Sequence, residues 1–154
     1  MMAKISDLAP LAKKVNTKTD QINRTISSIN EKLAKLNLGI EAWLDGNLRD
    51  ALDCSPWSDE GTMRVRSISY LGYDRIDGKW QLAVKEVTEE YTVDEDGDEE
   101  FDKVNPEYEA LLQASRNLRL AALPRIPRLL DELKSRGKEL LETVESAETL
   151  AEEL

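Results

Sequence analysis

The sequence predicts an α+β fold in a single domain over residues 1–154. Apolar residues recur with a seven-residue rhythm at both ends of the chain, which predicts two long helices. The middle is rich in β-branched and aromatic residues, and an Asp-Gly pair within it is a strong hairpin signal. We therefore expect a helical framework over residues 5–37 and 106–154 around a β-rich middle over residues 38–104.

The first predicted helix carries an apolar seam whose steps alternate between three and four residues, the spacing that presents one face to a partner helix. Gly39 follows the seam and is expected to end the helix, because glycine adopts the left-handed conformation most easily. The seam consists of Ile5, Leu8, Ala12, Val15, Thr19, Ile22, Ile26, Ile29, Leu33 and Leu36.

Four asparagines stand beside this seam, one in every seven residues: Asn16, Asn23, Asn30 and Asn37. Asparagine is a mediocre helix former, so the regular file needs an explanation. It is either a hydrated flank of the seam or a ladder of side-chain hydrogen bonds to a neighbouring helix that fixes the register. The sequence leaves both interpretations open.

The middle of the chain predicts three antiparallel strands, over residues 40–44, 63–73 and 80–93. The Asp-Gly hairpin joins the second and third strands, and a slip in alternation near Lys85 and Glu86 indicates a bulge. The stretch from Asn47 to Glu60 is expected to be a loop.

An acidic run over residues 94–100 is expected to be a solvated loop. It has a superficial likeness to a calcium-binding loop. Its glycine and its last ligand position do not match the EF-hand spacing, so we expect no metal there.

The C-terminal part is predicted to hold a short helix and then a long one. Asn105, Pro106 and Glu107 have the composition of a helix start, and the long helix is expected from about Pro127 to the end. Its seam has the same spacing as the first helix: Ile126, Leu130, Leu133, Gly137, Leu140, Val144, Ala147, Ala151 and Leu154.

The two long helices are expected to pack antiparallel, with Leu33 against Leu130 and Ile26 against Gly137. The alternative, in which each seam meets its copy in a second chain, remains open. Leu129, Leu141 and Leu150 widen the C-terminal stripe, which favours a further contact, either with the short helix or with a second copy, and we favour a homodimer. The interface residues that we predict are Ile22, Ile26, Ile29, Leu33, Leu129, Leu133, Leu140, Leu141 and Val144.

Composition argues against catalysis. The chain has no histidine, which is the commonest general base near neutral pH and a common metal ligand. No phosphate-binding or nucleophile motif is present, and the one cysteine, Cys54, is interpreted as an inert thiol. We therefore predict a non-enzymatic protein-interaction or assembly module without metal or cofactor; the 31 acidic residues leave catalysis by carboxylates alone as an open alternative.

Charge and hydropathy limit the partners. The net charge is −10, and residues 39–105 contain seven basic and eighteen acidic side chains, a distribution that argues against nucleic acid as a partner. No run of eighteen apolar residues is present, so we expect no membrane span, and a single cysteine favours a cytoplasmic protein.

A second functional interpretation is a binding protein for a small anionic, nucleotide-like ligand. Arg116 and Arg119 are three residues apart and share a helical face. Together with the sheet aromatics Tyr70, Tyr73 and Trp80, they are candidates to hold such a ligand by ion pairing and stacking. The competing interpretation is that these arginines pair with the acidic middle of the chain.

Overall fold

The computed structural model describes residues 2–52, 57–60 and 63–154, and it confirms the α+β class. Cys54 lies outside the described residues. Three 3-10 turns, Leu48–Leu52, Leu111–Gln113 and Leu123–Arg125, connect the larger elements. The helices and strands are α1 (Ile5–Leu36), β1 (Ala42–Trp43), β2 (Trp57–Glu60), β3 (Met63–Ile76), β4 (Lys79–Val93), β5 (Glu99–Ala110), α2 (Arg116–Ala122) and α3 (Ile126–Glu153).

The sheet is antiparallel and has more strands than the three that the sequence predicts. Its order is β1-β3-β4-β5, and β2 pairs with β3 on the same edge as β1. β1 lies beside residues 72–73 of β3, whereas β2 lies beside residues 63–66. The prediction of three strands is therefore wrong in number, although a strand is present at each of the three predicted positions.

The β3–β4 turn confirms the hairpin signal. Asp77 and Gly78 have φ angles of 52° and 80°, the left-handed pair that a two-residue turn with matching twist requires. The bulge lies between Glu90 and Tyr91 in the β4–β5 pairing, not near Lys85.

Residues 99–110 are the largest correction to the sequence-based prediction. They form β5, so the acidic loop is shorter than expected and no helix starts at Asn105. Pro106 can be accommodated because β5 is an edge strand, where a missing N–H need not break a ladder. The short helix α2 starts instead at Arg116, where the Ser115 hydroxyl accepts a hydrogen bond from the Leu118 amide at 3.3 Å.

All three helices contribute to a core on one face of the sheet, which we call the covered face. Leu71, Tyr73, Leu82 and Val84 supply the strand side of this core. The buried helix residues are Ile26, Leu33, Leu118, Ala121, Ala122, Ile126, Leu129 and Leu133. A smaller cluster of Trp43, Ile76, Ala83 and Ala110 lies on the opposite, open face and contains no helix residue.

The expected antiparallel packing of α1 along α3 is not observed. α1 contacts β4, α2 and the Leu111–Gln113 turn, whereas α3 contacts β1 and β3. A Cβ on Gly137 would meet Ile40 at 3.9 Å, so Ile40 rather than Ile26 lies against this glycine. The inner part of each seam is buried against the sheet and its connecting elements, because they offer a wider apolar surface than one facing helix.

Part of the asparagine file bonds to neighbouring elements. Asn30 Oδ1 accepts a hydrogen bond of 2.8 Å from the Leu82 amide, one residue beyond the point where β5 pairing stops. Asn23 Oδ1 accepts from the Arg119 guanidinium of α2. Asn37 ends α1 in the left-handed conformation, at φ 52°, two residues before the glycine that the sequence predicts for this role. Asn23 thus bonds to a neighbouring helix, as the ladder interpretation expects, whereas Asn30 bonds to a strand and Asn16 is exposed.

Candidate interaction surfaces

The outer parts of both long helices lie in solvent. We call residues 4–18 the N-terminal arm and residues 138–153 the C-terminal arm; every residue of both is exposed. The apolar side chains of the N-terminal arm are 38% to 88% exposed, and those of the C-terminal arm are 45% to 59% exposed. These side chains are Ile5, Leu8, Leu11 and Val15 on the first arm and Leu140, Leu141, Val144 and Leu150 on the second.

The predicted interface residues divide between the interior and the arms. Ile26, Leu33, Leu129 and Leu133 are buried in the core of the chain itself, and Ile22 and Ile29 pack against that core. Leu140, Leu141 and Val144 are exposed and accessible to a partner. These three therefore remain the most accessible candidates for an intermolecular contact, and Ile22 and Ile29 are only partly buried.

A groove between α1 and α2 adjoins the N-terminal arm. Its volume is about 260 Å³, and Lys14, Lys18 and Arg116 supply three cations to its lining. Val15, Thr19, Ile22 and Leu120 complete the lining, which contains no carboxylate. Leu120 is 46% exposed although it is apolar, so the groove combines positive charge with accessible apolar surface.

The predicted ligand residues do not form one site. Arg119 donates to Asn23, and Arg116 Nη1 lies 3.5 Å from Thr19 Oγ1, so both arginines link α2 to α1. Tyr73 belongs to the core on the covered face, whereas the strand register places Tyr70 on the open face beside Lys85. These hydrogen bonds also do not support the competing interpretation, in which the arginines pair with acidic residues in the middle of the chain.

Of the predicted ligand residues, Tyr73 and Trp80 do lie together. Their rings stack with centroids 5.8 Å apart at the wall of a groove of about 460 Å³ between α1 and the β3–β4 hairpin. The polar lining includes Asn30, Lys79 and Gln81, and the Gln81 amide donates to the Ile76 carbonyl at 3.0 Å. Burial raises the pKa of Tyr73, which keeps its phenol neutral.

The open face carries an aromatic cluster that sequence analysis missed. The indole of Trp43 lies directly over Gly72, where an added Cβ would come within 2.1 Å of the ring. Tyr108 meets Trp43 edge-on at 5.8 Å, and Lys85 Nζ lies 5.0 Å from the Trp43 ring centroid. Gly72 inside a strand was the signal that could have revealed this close approach.

Glu86, Glu107 and Glu109 lie near one another on the covered face, on the paired strands β4 and β5. Glu86 pairs with Arg49 at 3.2 Å, and Arg49 also donates to Ser69 at 3.0 Å. Burial raises the pKa of Glu109, and the nearby charges of Glu86 and Glu107 raise it further. Among the described residues, no group of three metal-ligating side chains comes together, and no helix is long and apolar enough to cross a membrane.

Comparison with known proteins gave no match to a family model, to a curated protein or to a solved structure. The arms, the two grooves and the open face are the surfaces through which the described residues could bind a partner or ligand.

Proposed function

We propose that this protein is a non-enzymatic interaction and assembly module that binds protein through its two helical arms, with a homodimer as the principal form. The exposed apolar seam is the observation that carries the proposal. Eight large apolar residues recur along two solvated helices, although an isolated amphipathic helix gains little stability until its apolar face is covered.

The inner parts of the same helices support this proposal, because their seam residues are buried whereas those of the arms are exposed. Ile26 and Leu133 have the same seam spacing as the arm residues but are buried. The seam therefore continues past the edge of the core that it helps to form. An exposed apolar stripe of that kind is typical of an association surface.

The test is the mass in solution of wild type and of seam variants. Wild type is expected to exceed the 17.4 kDa of one chain in sedimentation experiments at high protein concentration. Leu8→Asp/Leu140→Asp places one charge in each exposed seam without touching the core, and it is expected to return the mass to that of one chain. Ile26 is unsuitable for this test because its side chain is fully buried in the monomer.

Ser28→Asp/Ser135→Asp is the matched control. Both serines are exposed on the same two helices but lie outside the arms, so the variant adds the same charges and is expected to keep the wild-type mass. A wild type that stays monomeric at the highest concentration, or a control that dissociates as much as the seam variant, would contradict the proposed function.

The α1–α2 groove favours a second candidate function, the binding of a small anion. Lys14, Lys18 and Arg116 converge on a lining without carboxylates, and an anion that bound there would stabilise the folded chain. Pyrophosphate is the probe: it is expected to raise the melting temperature of wild type and not of Arg116→Ala. An equal shift in both proteins would remove this candidate.

A further inference from the structure

The two arms carry opposite charge. The N-terminal arm has four lysines and one aspartate, a net charge of +3. The C-terminal arm has six glutamates and one lysine, a net charge of −5. Pairing two copies of the same arm would bring like charges together, whereas pairing the two different arms brings opposite charges together.

The arms also match in length and in apolar content. They contain 15 and 16 residues, which correspond to roughly 22–24 Å of helix each. Each presents four large exposed apolar side chains. Within one chain they do not cover each other, since those side chains are exposed on both arms.

The α1–α2 groove supplies a place for the acidic arm to dock. Lys14, Lys18 and Arg116 stand beside accessible Val15 and Leu120, so the groove suits a helix with an apolar stripe flanked by carboxylates. The C-terminal arm provides both groups, because Glu145 and Glu148 follow Leu141 and Val144 by four residues each and so lie next to them on the same side of the helix.

We propose that the C-terminal arm of one chain docks on the N-terminal arm and the α1–α2 groove of a second copy, and that the second copy returns the same contact. The occupant is thus a second copy of this chain, and the two exchanged contacts form a closed, two-fold dimer. This inference rests on the proposed assembly function and specifies which surfaces meet.

The experiment is a charge exchange followed by sedimentation equilibrium. Lys14→Glu/Lys18→Glu makes the groove acidic, and Glu145→Lys/Glu148→Lys makes the flank of the C-terminal arm basic. Each change alone places like charges across both contacts, and we expect the dimer Kd to rise at least about tenfold. When all four changes are combined in one chain, the groove is acidic and the flank of the C-terminal arm is basic, so opposite charges meet again. We expect this variant to have a Kd close to that of wild type.

Lys32→Glu/Lys35→Glu is the matched control. It changes net charge by the same amount on the same helix, at exposed positions outside the arm, and should leave the Kd near the wild-type value. Moderate salt should raise the wild-type Kd, because it screens attraction between the arms. Pairing of like arms would give the opposite salt response, since salt would then screen repulsion.

The outcomes separate this inference from the proposed function. Should Leu8→Asp/Leu140→Asp dissociate the dimer while the single charge exchanges leave the Kd unchanged, assembly through the arms stands and the pairing of unlike arms is wrong. Failure of the combined exchange to recover the dimer, or weakening by the control to the same extent, also overturns the inference. A monomeric wild type overturns both.

Discussion

The inner and outer parts of the long helices have the same apolar spacing but very different surroundings. The inner parts, residues 22–33 of α1 and 126–133 of α3, pack against the sheet and α2, and their seam residues supply much of the core. The arms continue the same spacing into solvent. The seven-residue spacing therefore indicates that a helix face packs against a partner. Only the tertiary structure shows whether that partner lies in the same chain.

The largest expected difference is in the loss of unfolding free energy when a side chain is truncated to alanine in the core and on an arm. Ile26→Ala removes a fully buried side chain and is expected to lower the free energy of unfolding by about 2–5 kcal/mol. Leu140→Ala removes an exposed side chain and is expected to change the same quantity by less than about 0.5 kcal/mol. Urea denaturation at a concentration where the chain is monomeric measures both, and equal losses would contradict the division of the helices into inner parts and arms.

The asparagines of α1 allow the same comparison between the inner part and the arm with a single residue type. Asn30→Ala leaves the Leu82 amide, which is sheltered beneath α1, without its acceptor; the expected cost is about 1–3 kcal/mol of unfolding free energy. Asn16→Ala, two heptads earlier on the exposed arm, is the control and should change stability little. Similar effects of the two substitutions in urea denaturation would mean that Asn30 is only a hydrated flank.

Local sequence signals predicted the elements whose geometry depends on few residues. The Asp77–Gly78 turn needs only two left-handed residues, and the heptad seams fix the two long helices. Contacts between segments that are distant in the sequence were harder to predict. Asn105 and Pro106 resemble a helix start, but pairing of residues 99–110 with β4 overrides that local preference.

The candidate surfaces were predicted only in part. Three of the predicted interface residues, Leu140, Leu141 and Val144, lie on an exposed arm, but the spacing could not reveal that the others are used by the chain's own core. Arg116 was singled out by its charge, yet its neighbours in the groove, Lys14 and Lys18, lie about a hundred residues away in the sequence. Such long-range neighbours are set by the packing of α2 on α1, which no local pattern encodes.

Gly137 marks the junction of the inner part and the arm on α3. A Cβ there would make an ordinary contact of 3.9 Å with Ile40, and alanine favours a helix by roughly 1 kcal/mol over glycine. Gly137→Ala is therefore expected to raise the free energy of unfolding by about 0.5–1 kcal/mol in thermal or urea denaturation. A loss of stability would indicate that a close helix neighbour, as in the antiparallel packing that the sequence suggested, occupies that position.

The smallest expected effect concerns Glu109, which pairs in register with the core residue Val84. Its pKa is raised in the folded chain, so the folded state gains from its protonation at low pH and loses that gain as the pH rises through the folded pKa. Glu109→Gln should then stabilise the protein at pH 7 by up to about 0.5 kcal/mol, and the difference from wild type should shrink near pH 4. Melting temperatures across that pH range test the sign: a glutamine variant that is less stable at pH 7 would show that the carboxylate is stabilised rather than penalised.

Hydrogen–deuterium exchange at low and at high protein concentration tests most directly whether the arms are covered by a second copy. Backbone amides of residues 22–33 and 126–133 should be protected at both concentrations, because the core of each chain shelters them. Amides of residues 4–18 and 138–153 should exchange quickly in the dilute protein and become protected together in the concentrated one. Exchange in the arms that is equally fast at both concentrations would contradict the account.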